Sequence, residues 1–305
     1  MNQPSRNGKP KYSAPAAGCA ADLMLALARG DSELSINELA GRTGCTKSLV
    51  YRVLAELEAR DLVSKLDNGN YGLGLAVVEL GGAFSAGVPL MSSVRGVCRR
   101  LADLTGETVN LGILQGDQVL YLMREEGARS VFAVSHVGKL LPANAVALGK
   151  ALLALKSDDA VAETFAERLA REGQLSALTP KTITALDELI SELARVREQG
   201  HAEEHGEAVI GRCCIAATAP FDQHNIASVA ISVSMDETRF RETRETMLGA
   251  LLQARDQVAR QARGRAAIGE APSRTEVVIG GLSSGTRAPT ITRPRLPAVD
   301  REQRH

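Results

Sequence analysis

The segment from Ser35 to Leu57 constrains the fold more than any other stretch of this 305-residue chain. Ser35, with Glu38 three residues on, forms a capping box, and Leu39 and Ala40 continue a short helix. Gly44 breaks that helix where the turn needs a positive φ, and Thr46 caps the next one. In that next helix Val50, Val53, Leu54 and Leu57 fall on one face at helical spacing. Lys47, Ser48, Tyr51 and Arg52 fall on the opposite face. Ala40 is small where the two helices must cross closely. Upstream, Leu23, Leu25, Leu27 and Ala28 read as a first helix ended by Gly30 and Asp31. Downstream, two apolar runs within 62–74 flank Asp67-Asn68-Gly69, a hairpin turn signal.

Helix, helix, turn, helix and hairpin is the order of a winged helix-turn-helix. A purely structural three-helix bundle with a hairpin is the alternative. Global charge does not favour a nucleic-acid partner, because 36 Lys+Arg balance 36 Asp+Glu. The local charge does: residues 41–55 carry Arg42, Lys47 and Arg52 and no acid. A groove-facing helix needs that local bias only.

The remaining chain is ordinary globular material, 44% hydrophobic and 24% charged, and its length favours two domains. No apolar run approaches the roughly 20 residues needed to span a bilayer. The polar start, MNQPSRNGKPKYSAPAAG, lacks the apolar stretch of a secretory signal, so a cytoplasmic protein is expected. Cysteines at 19, 45, 98, 213 and 214 form no CxxC pair, which argues against a disulfide framework or a structural zinc site.

Within 75–105, Leu90, Val94, Val97, Leu101 and Leu104 make a seam suited to packing on another helix, across a dimer or within the chain. Beyond Glu107 the period changes. Runs 108–114 and 118–123 read as strands joined by Gln115-Gly116-Asp117, and 130–138 as another strand. Runs 144–156 and 160–172 read as helices, and 184–200 as an amphipathic helix with Thr184 as cap and Gly200 past its end. The apolar runs 213–221 and 226–235 fit central strands, and a last helix covers about 237–263. This is an α+β arrangement. Its ends, 1–17 and 265–305, are rich in Pro, Ser, Gly and Arg and read as disordered tails.

Seven segments recur in a fixed order that resembles the IclR-type (isocitrate lyase regulator) family of bacterial transcription factors. They are IxELAxxTGCTKSLVYRVL (36–54), NYGLG (70–74), TGETVNLGILQGDQVLYL (105–122), LPANAVALGKALLA (141–154), LARVREQGHA (193–202), GRCCIAATAPFD (211–222) and VAISVS (229–234). The resemblance implies a winged helix-turn-helix at 18–80, a linker and dimerisation helix at 81–105, and a GAF-like effector-binding domain at 106–264. It implies dimers or tetramers on operator DNA, repression of catabolic genes, and a small organic acid, aromatic acid or related metabolite as effector. It implies no cofactor.

Residue by residue, the recognition helix offers Thr46, Lys47, Ser48, Tyr51 and Arg52 to DNA, with Arg42 beside it and Lys65 and Asn68 on the wing. The effector pocket implied by the resemblance lies under Ala147 and Leu148, Glu204 with Cys214, and Ser232 with Ser234. The two serines alternate to one face of their strand. The sequence departs from the family pattern at Asn144, where a His is common, and at His201 and His205, where Tyr and an acid are more usual.

Catalytic and metal readings are weaker. His201 and His205 have the spacing of a helical metal pair, but Gly200 ends the helix, so they read as loop histidines. Gly149-Lys150 lacks the upstream glycines of a phosphate loop. Cys214 has no dependable base in sequence, so no enzyme is expected. The competing function is a metabolite-binding sensor or enzyme whose helical N-terminal module does not bind DNA.

Overall fold

The computed structural model describes residues 14–29, 33–86, 89–130, 135–223 and 226–267. Helix α1 (Pro15–Arg29) buries Cys19, Leu23 and Leu27, one residue per turn, whereas Leu25 and Ala28 face out. It begins inside the span read as a tail, because Pro15 suits a first turn and Ala16 and Ala17 are strong helix formers. Helices α2 (Ile36–Thr43) and α3 (Lys47–Glu58) meet through Gly44, at φ +69°. The capping box is present. Ser35 Oγ accepts from Glu38 N at 3.3 Å, and the Glu38 carboxylate accepts from Ser35 N at 2.8 Å.

The wing pairs β1 (Val63–Lys65) with β2 (Tyr71–Leu73). Leu34 and Tyr71 exchange both backbone hydrogen bonds at 2.9 Å, tying the entry of α2 to the wing. Val50, Val53, Leu54 and Leu57 close one hydrophobic core with Leu23, Leu39, Val63 and Tyr71.

Residues 75–105 form two helices rather than one seam, α4 (Ala76–Ala86) and α5 (Pro89–Thr105). Val94, Val97 and Leu101 are buried within the same chain, against the main sheet and the last helix. Leu104 is exposed, and the side chain of Leu90 lies outside the described residues.

The main sheet is antiparallel, built from β3 (Thr108–Gln115), β4 (Gln118–Glu125), β5 (Leu140–Pro142), β6 (Ala202–His205), β7 (Arg212–Gln223) and β8 (Ile226–Asp236). Its order is β5-β4-β3-β8-β7-β6, so the two apolar runs β7 and β8 are interior strands as their composition requires. One face packs on α5 and α9 (Glu237–Ala267). The other packs on α6 (Ala147–Leu153), α7 (Asp158–Glu172) and α8 (Leu186–Gln199). The strand expected at 130–138 is not formed at 135–138, where Gly138 at φ +86° turns the chain, and 131–134 lie outside the described residues. Thr184 is not the cap of α8. Ala185 holds that position, and the Thr184 carbonyl instead accepts from Leu175 N at 2.9 Å.

A short 3-10 turn, Ala143–Ala145, leads into α6. A Cβ on Gly149 would lie 2.1 Å from the Ala143 carbonyl oxygen, so only glycine lets α6 fold back on that turn. The rest of both expected tails, 1–13 and 268–305, lies outside the described residues. Among the described residues no helix is long and apolar enough to cross a membrane.

Candidate functional site

Two sites take shape. On α3, Thr46, Lys47, Ser48, Tyr51 and Arg52 are all exposed, and Tyr51 shows 61% of its surface. Val50, Val53 and Leu54 on the opposite side are buried, so packing fixes which face is presented. Thr46 Oγ1 accepts from Leu49 N at 3.4 Å, and Arg52 Nε donates to the Ser48 carbonyl at 3.3 Å. Arg42 is exposed in the last turn of α2. Lys65 is exposed on β1. Asn68 is engaged within the protein, because its amide donates to Glu33 at 2.7 Å and its carbonyl accepts from Asn70 N at 2.9 Å.

The second site is a cavity of about 120 Å³ between the sheet and α6. Cross-strand register builds its floor in rows. One row runs Glu204, Cys214, Ser234, Thr108 across β6, β7, β8 and β3. The next runs Ala202, Ala216, Ser232, Asn110, Arg124 out to β4. A register shift near Leu111 re-aims β4, which brings both Tyr121 and Arg124 to the cavity side. Gly112 lets Leu148 and Val119 close on β3, since a Cβ there would lie 3.3 Å from the Leu148 side chain and 2.7 Å from that of Val119.

All six residues singled out for a ligand, Ala147, Leu148, Glu204, Cys214, Ser232 and Ser234, line this one cavity. Thr108, Asn110, Tyr121, Arg124, Ser135 and Arg212 line it too and were not anticipated. The alternation of Thr108 and Asn110 along their strand was a readable signal. Arg124 was hidden by the register shift.

The polar chemistry is uneven. Glu204 is almost fully buried; its Oε2 accepts from Glu207 N at 2.8 Å and Ala208 N at 3.3 Å. Among the described residues Oε1 accepts from no N–H or O–H group, and the Cys214 thiol is the only other donor beside the carboxyl. Burial raises the Glu204 carboxyl above its ordinary value. Burial, and then the charge of Glu204, push the Cys214 thiol well up, which keeps it protonated and poorly nucleophilic. Burial likewise raises the Tyr121 phenol. Arg124 is occupied by Glu126 at 2.9 Å and Ser135 at 3.2 Å. Arg212 donates to the Ser234 carbonyl at 3.3 Å and Oγ at 3.4 Å, and has no carboxylate partner among the described residues.

Behind the cavity Lys150 is buried on α6, with Nζ 2.5 Å from Glu207 Oε1 and 3.4 Å from the Glu203 carbonyl. Asn144, where the family more often has His, is fully buried and donates to the Ser176 and Ile183 carbonyls at 2.7 and 2.8 Å. It holds the loop before α8.

His201 lies in the bend before β6 but is buried rather than solvated, and His205 is the last residue of the strand and not a loop histidine. Both lie on the face of β6 away from the cavity, each 3.3 Å from Glu203, which also pairs with Arg244 at 2.7 Å. Among the described residues no group of His, Cys, Asp and Glu could hold a metal ion.

Comparison with known proteins follows this division of the chain. The family profile "Bacterial transcriptional regulator IclR C-terminal" matches residues 84–260, and "IclR helix-turn-helix domain" matches 20–67. The regulator KdgR of Escherichia coli is 32% identical over 216 residues, 70% of this chain and 80% of that protein. The repressor AllR of Salmonella typhi is 30% identical over 261 residues, 83% of this chain and 93% of that protein. The crystal structure of an IclR regulator from Alicyclobacillus acidocaldarius superposes with a TM-score of 0.70 at 27% identity, covering 82% of this chain and all of that one. Such relatives are named as transcriptional regulators or repressors, which favours the regulator over the competing reading.

Proposed function

The chain belongs to the IclR family of bacterial transcriptional regulators, and from that premise we propose that it is a cytoplasmic, effector-controlled repressor of catabolic genes. The winged helix-turn-helix occupies 18–80, a linker follows at 81–105, and an effector domain spans 106–264. Helix α3 enters the major groove. Arg52 and Lys47 read guanine edges, with Tyr51 alongside, while Thr46, Ser48 and Arg42 hold phosphates. Lys65 and Asn68 bring the wing to the backbone or minor groove. The observation that carries this reading is the exposed, acid-free face of α3, held outward by its buried opposite side.

Effector binds under Ala147 and Leu148 and against Glu204, Cys214, Ser232 and Ser234. The protein acts as a dimer or a pair of dimers, which places two recognition helices on a pseudo-palindrome. Exposed Leu75, Val78 and Leu80 at and beside α4 supply apolar surface for that association. Gel shift with the upstream region of its own operon tests the proposal. Lys47→Ala and Arg52→Ala should each weaken binding by roughly tenfold, as loss of a base contact does. Wild-type affinity in both variants refutes the groove assignment.

A further inference from the structure

We propose that the cavity takes a compact 2-hydroxy monocarboxylate, with its carboxylate on Arg212, Ser232 and Ser234 and its hydroxyl donating to Glu204 Oε1. This rests on the reading of the cavity as the effector site and narrows the ligand to one chemical class.

Size sets the first limit. An engineered cavity of about 150 Å³ in another protein holds one benzene ring. At about 120 Å³ this one suits a two- or three-carbon acid better than an aromatic one.

Charge sets the second. Arg124 is already satisfied by Glu126 and Ser135, whereas Arg212 is half-buried, meets only Ser234, and has no carboxylate partner among the described residues. A half-buried guanidinium beside two hydroxyls is matched by one carboxylate.

The third limit is the donor. Glu204 lies two strands from Ser234 in the same row, so about 9–10 Å separates their backbones. A molecule on Arg212 and Ser234 therefore reaches Glu204 with the substituent on its second carbon. Oε2 of Glu204 is filled by two backbone N–H groups. Among the described residues Oε1 is buried with no N–H or O–H donor, the weak Cys214 thiol being the only other donor beside the carboxyl. One unpartnered acceptor is matched by one donor. A 2-hydroxyl supplies it and can accept in return from the Cys214 thiol. A 2-oxo acid or an unsubstituted acid leaves Oε1 bare, and a 2-ammonium group brings three donors to a single free acceptor.

Isothermal titration of the full chain with glycolate, acetate, lactate, pyruvate, propionate, alanine and 4-hydroxybenzoate tests this. The hydroxy acids should bind at least about tenfold tighter than the oxo, unsubstituted and amino acids of equal length, the cost of an unpaired buried acceptor. Glu204→Leu should erase that preference, and Arg212→Gln should weaken every acid alike. Equal or tighter binding of the oxo acids overturns the hydroxyl assignment, as does a preference that survives Glu204→Leu. Tight binding of 4-hydroxybenzoate overturns the size limit. Wild-type selectivity decides the matter even where a variant fails to fold. The broader reading fails separately, when an acid that saturates the cavity leaves operator affinity unchanged.

Discussion

Replacing Lys150 by Met should destabilise the sheet half of the protein by about 3 kcal/mol, the lower end of what removing one partner of a buried ion pair costs. Lys150 is 1% exposed, and its Nζ sits 2.5 Å from a Glu207 carboxylate whose other oxygen has no partner. Met fills the stem's volume, so the loss is electrostatic and not a cavity. Glu207 is then left buried with no cation, because Glu192 is a second acid 3.7 Å from Nζ and offers nothing in exchange. Removing both partners, as in Lys150→Met with Glu207→Leu, should return stability to within about 1 kcal/mol of wild type, since neither charge is then stranded. The coupling in the double-mutant cycle is therefore about 2 kcal/mol or more. Urea unfolding followed by far-ultraviolet circular dichroism measures it, tryptophan fluorescence being excluded in a chain with no Trp. A single-variant loss below about 1 kcal/mol, or additive losses in the cycle, would refute the claim that this pair is a mutual neutralisation. Effector affinity should fall with the same variant, because Glu207 N is what positions Glu204 Oε2.

Glu203 gives a pH-dependent counterpart on the opposite face of β6. Burial raises its carboxyl, but the bonds from His205 and Arg244 and the charges of Arg244 and His201 outweigh this and hold it at about 2, against an ordinary 4.5. A lowered folded-state value contributes stability above pH about 4.5 that is lost as pH falls towards 2, up to about 3 kcal/mol in all. Glu203→Gln should thus be less stable at neutral pH, with the difference from wild type closing across that acid range; a gap independent of pH contradicts it. Ser35→Ala removes the hydroxyl half of the capping box, leaving the residue-35 N–H on Glu38, and should cost about 1 kcal/mol in thermal unfolding of the helix-turn-helix, with no change in effector affinity. Gly149→Ala should lower the melting temperature by several degrees, because its Cβ meets the Ala143 backbone, and should weaken effector binding by displacing α6. A melting temperature equal to wild type would mean that the close approach is easily relieved.

The helix-turn-helix was legible because its signals are local. Ser35, Glu38, Gly44 and Thr46 act on backbone groups within four residues, and a capping or positive-φ requirement can be read without knowing the tertiary fold. The hairpin at Gln115–Gln118 was legible for the same reason. The pocket was partly legible. Ser232 and Ser234 share a face by the period of two, and Cys214 and Glu204 came with the family resemblance. Arg124 was not legible, because a shifted register near Leu111 reverses which residues of β4 face α6, and no local pattern marks it. The roles of His201 and His205 were misread, because Gly200 correctly ends α8 but says nothing of the strand that begins at Ala202. Arg244, which meets His201 and Glu203, is more than forty positions from either in sequence and is brought there only by the packing of α9 on the sheet.

Four buried side-chain oxygens lack a partner among the described residues; two of them, on Glu204 and Glu207, belong to β6 and the segment after it, and a third, on Asn144, lies in the turn before α6. Unpartnered buried acceptors each cost about 1–3 kcal/mol, so these groups are held at a loss that packing elsewhere offsets. That loss is what a ligand can relieve, and only at Glu204, the one of the three that opens into the cavity. Regulation requires a ligand to favour one arrangement over another by its differential contacts, and couplings of about 1–3 kcal/mol are typical. Relief of a single orphaned oxygen is of that size. The segment between β6 and β7 runs from Gly206 at φ +76° to Gly211 at φ +79°. It carries both the Glu207 latch to Lys150 and the cavity-lining Ala208 and Val209. Energy released at Glu204 is therefore felt first by this glycine-bounded segment, through the two N–H groups it donates to the same carboxylate. A ligand that filled the cavity without touching Glu204 would gain affinity from apolar contact yet leave this segment unbiased, and would bind without signalling.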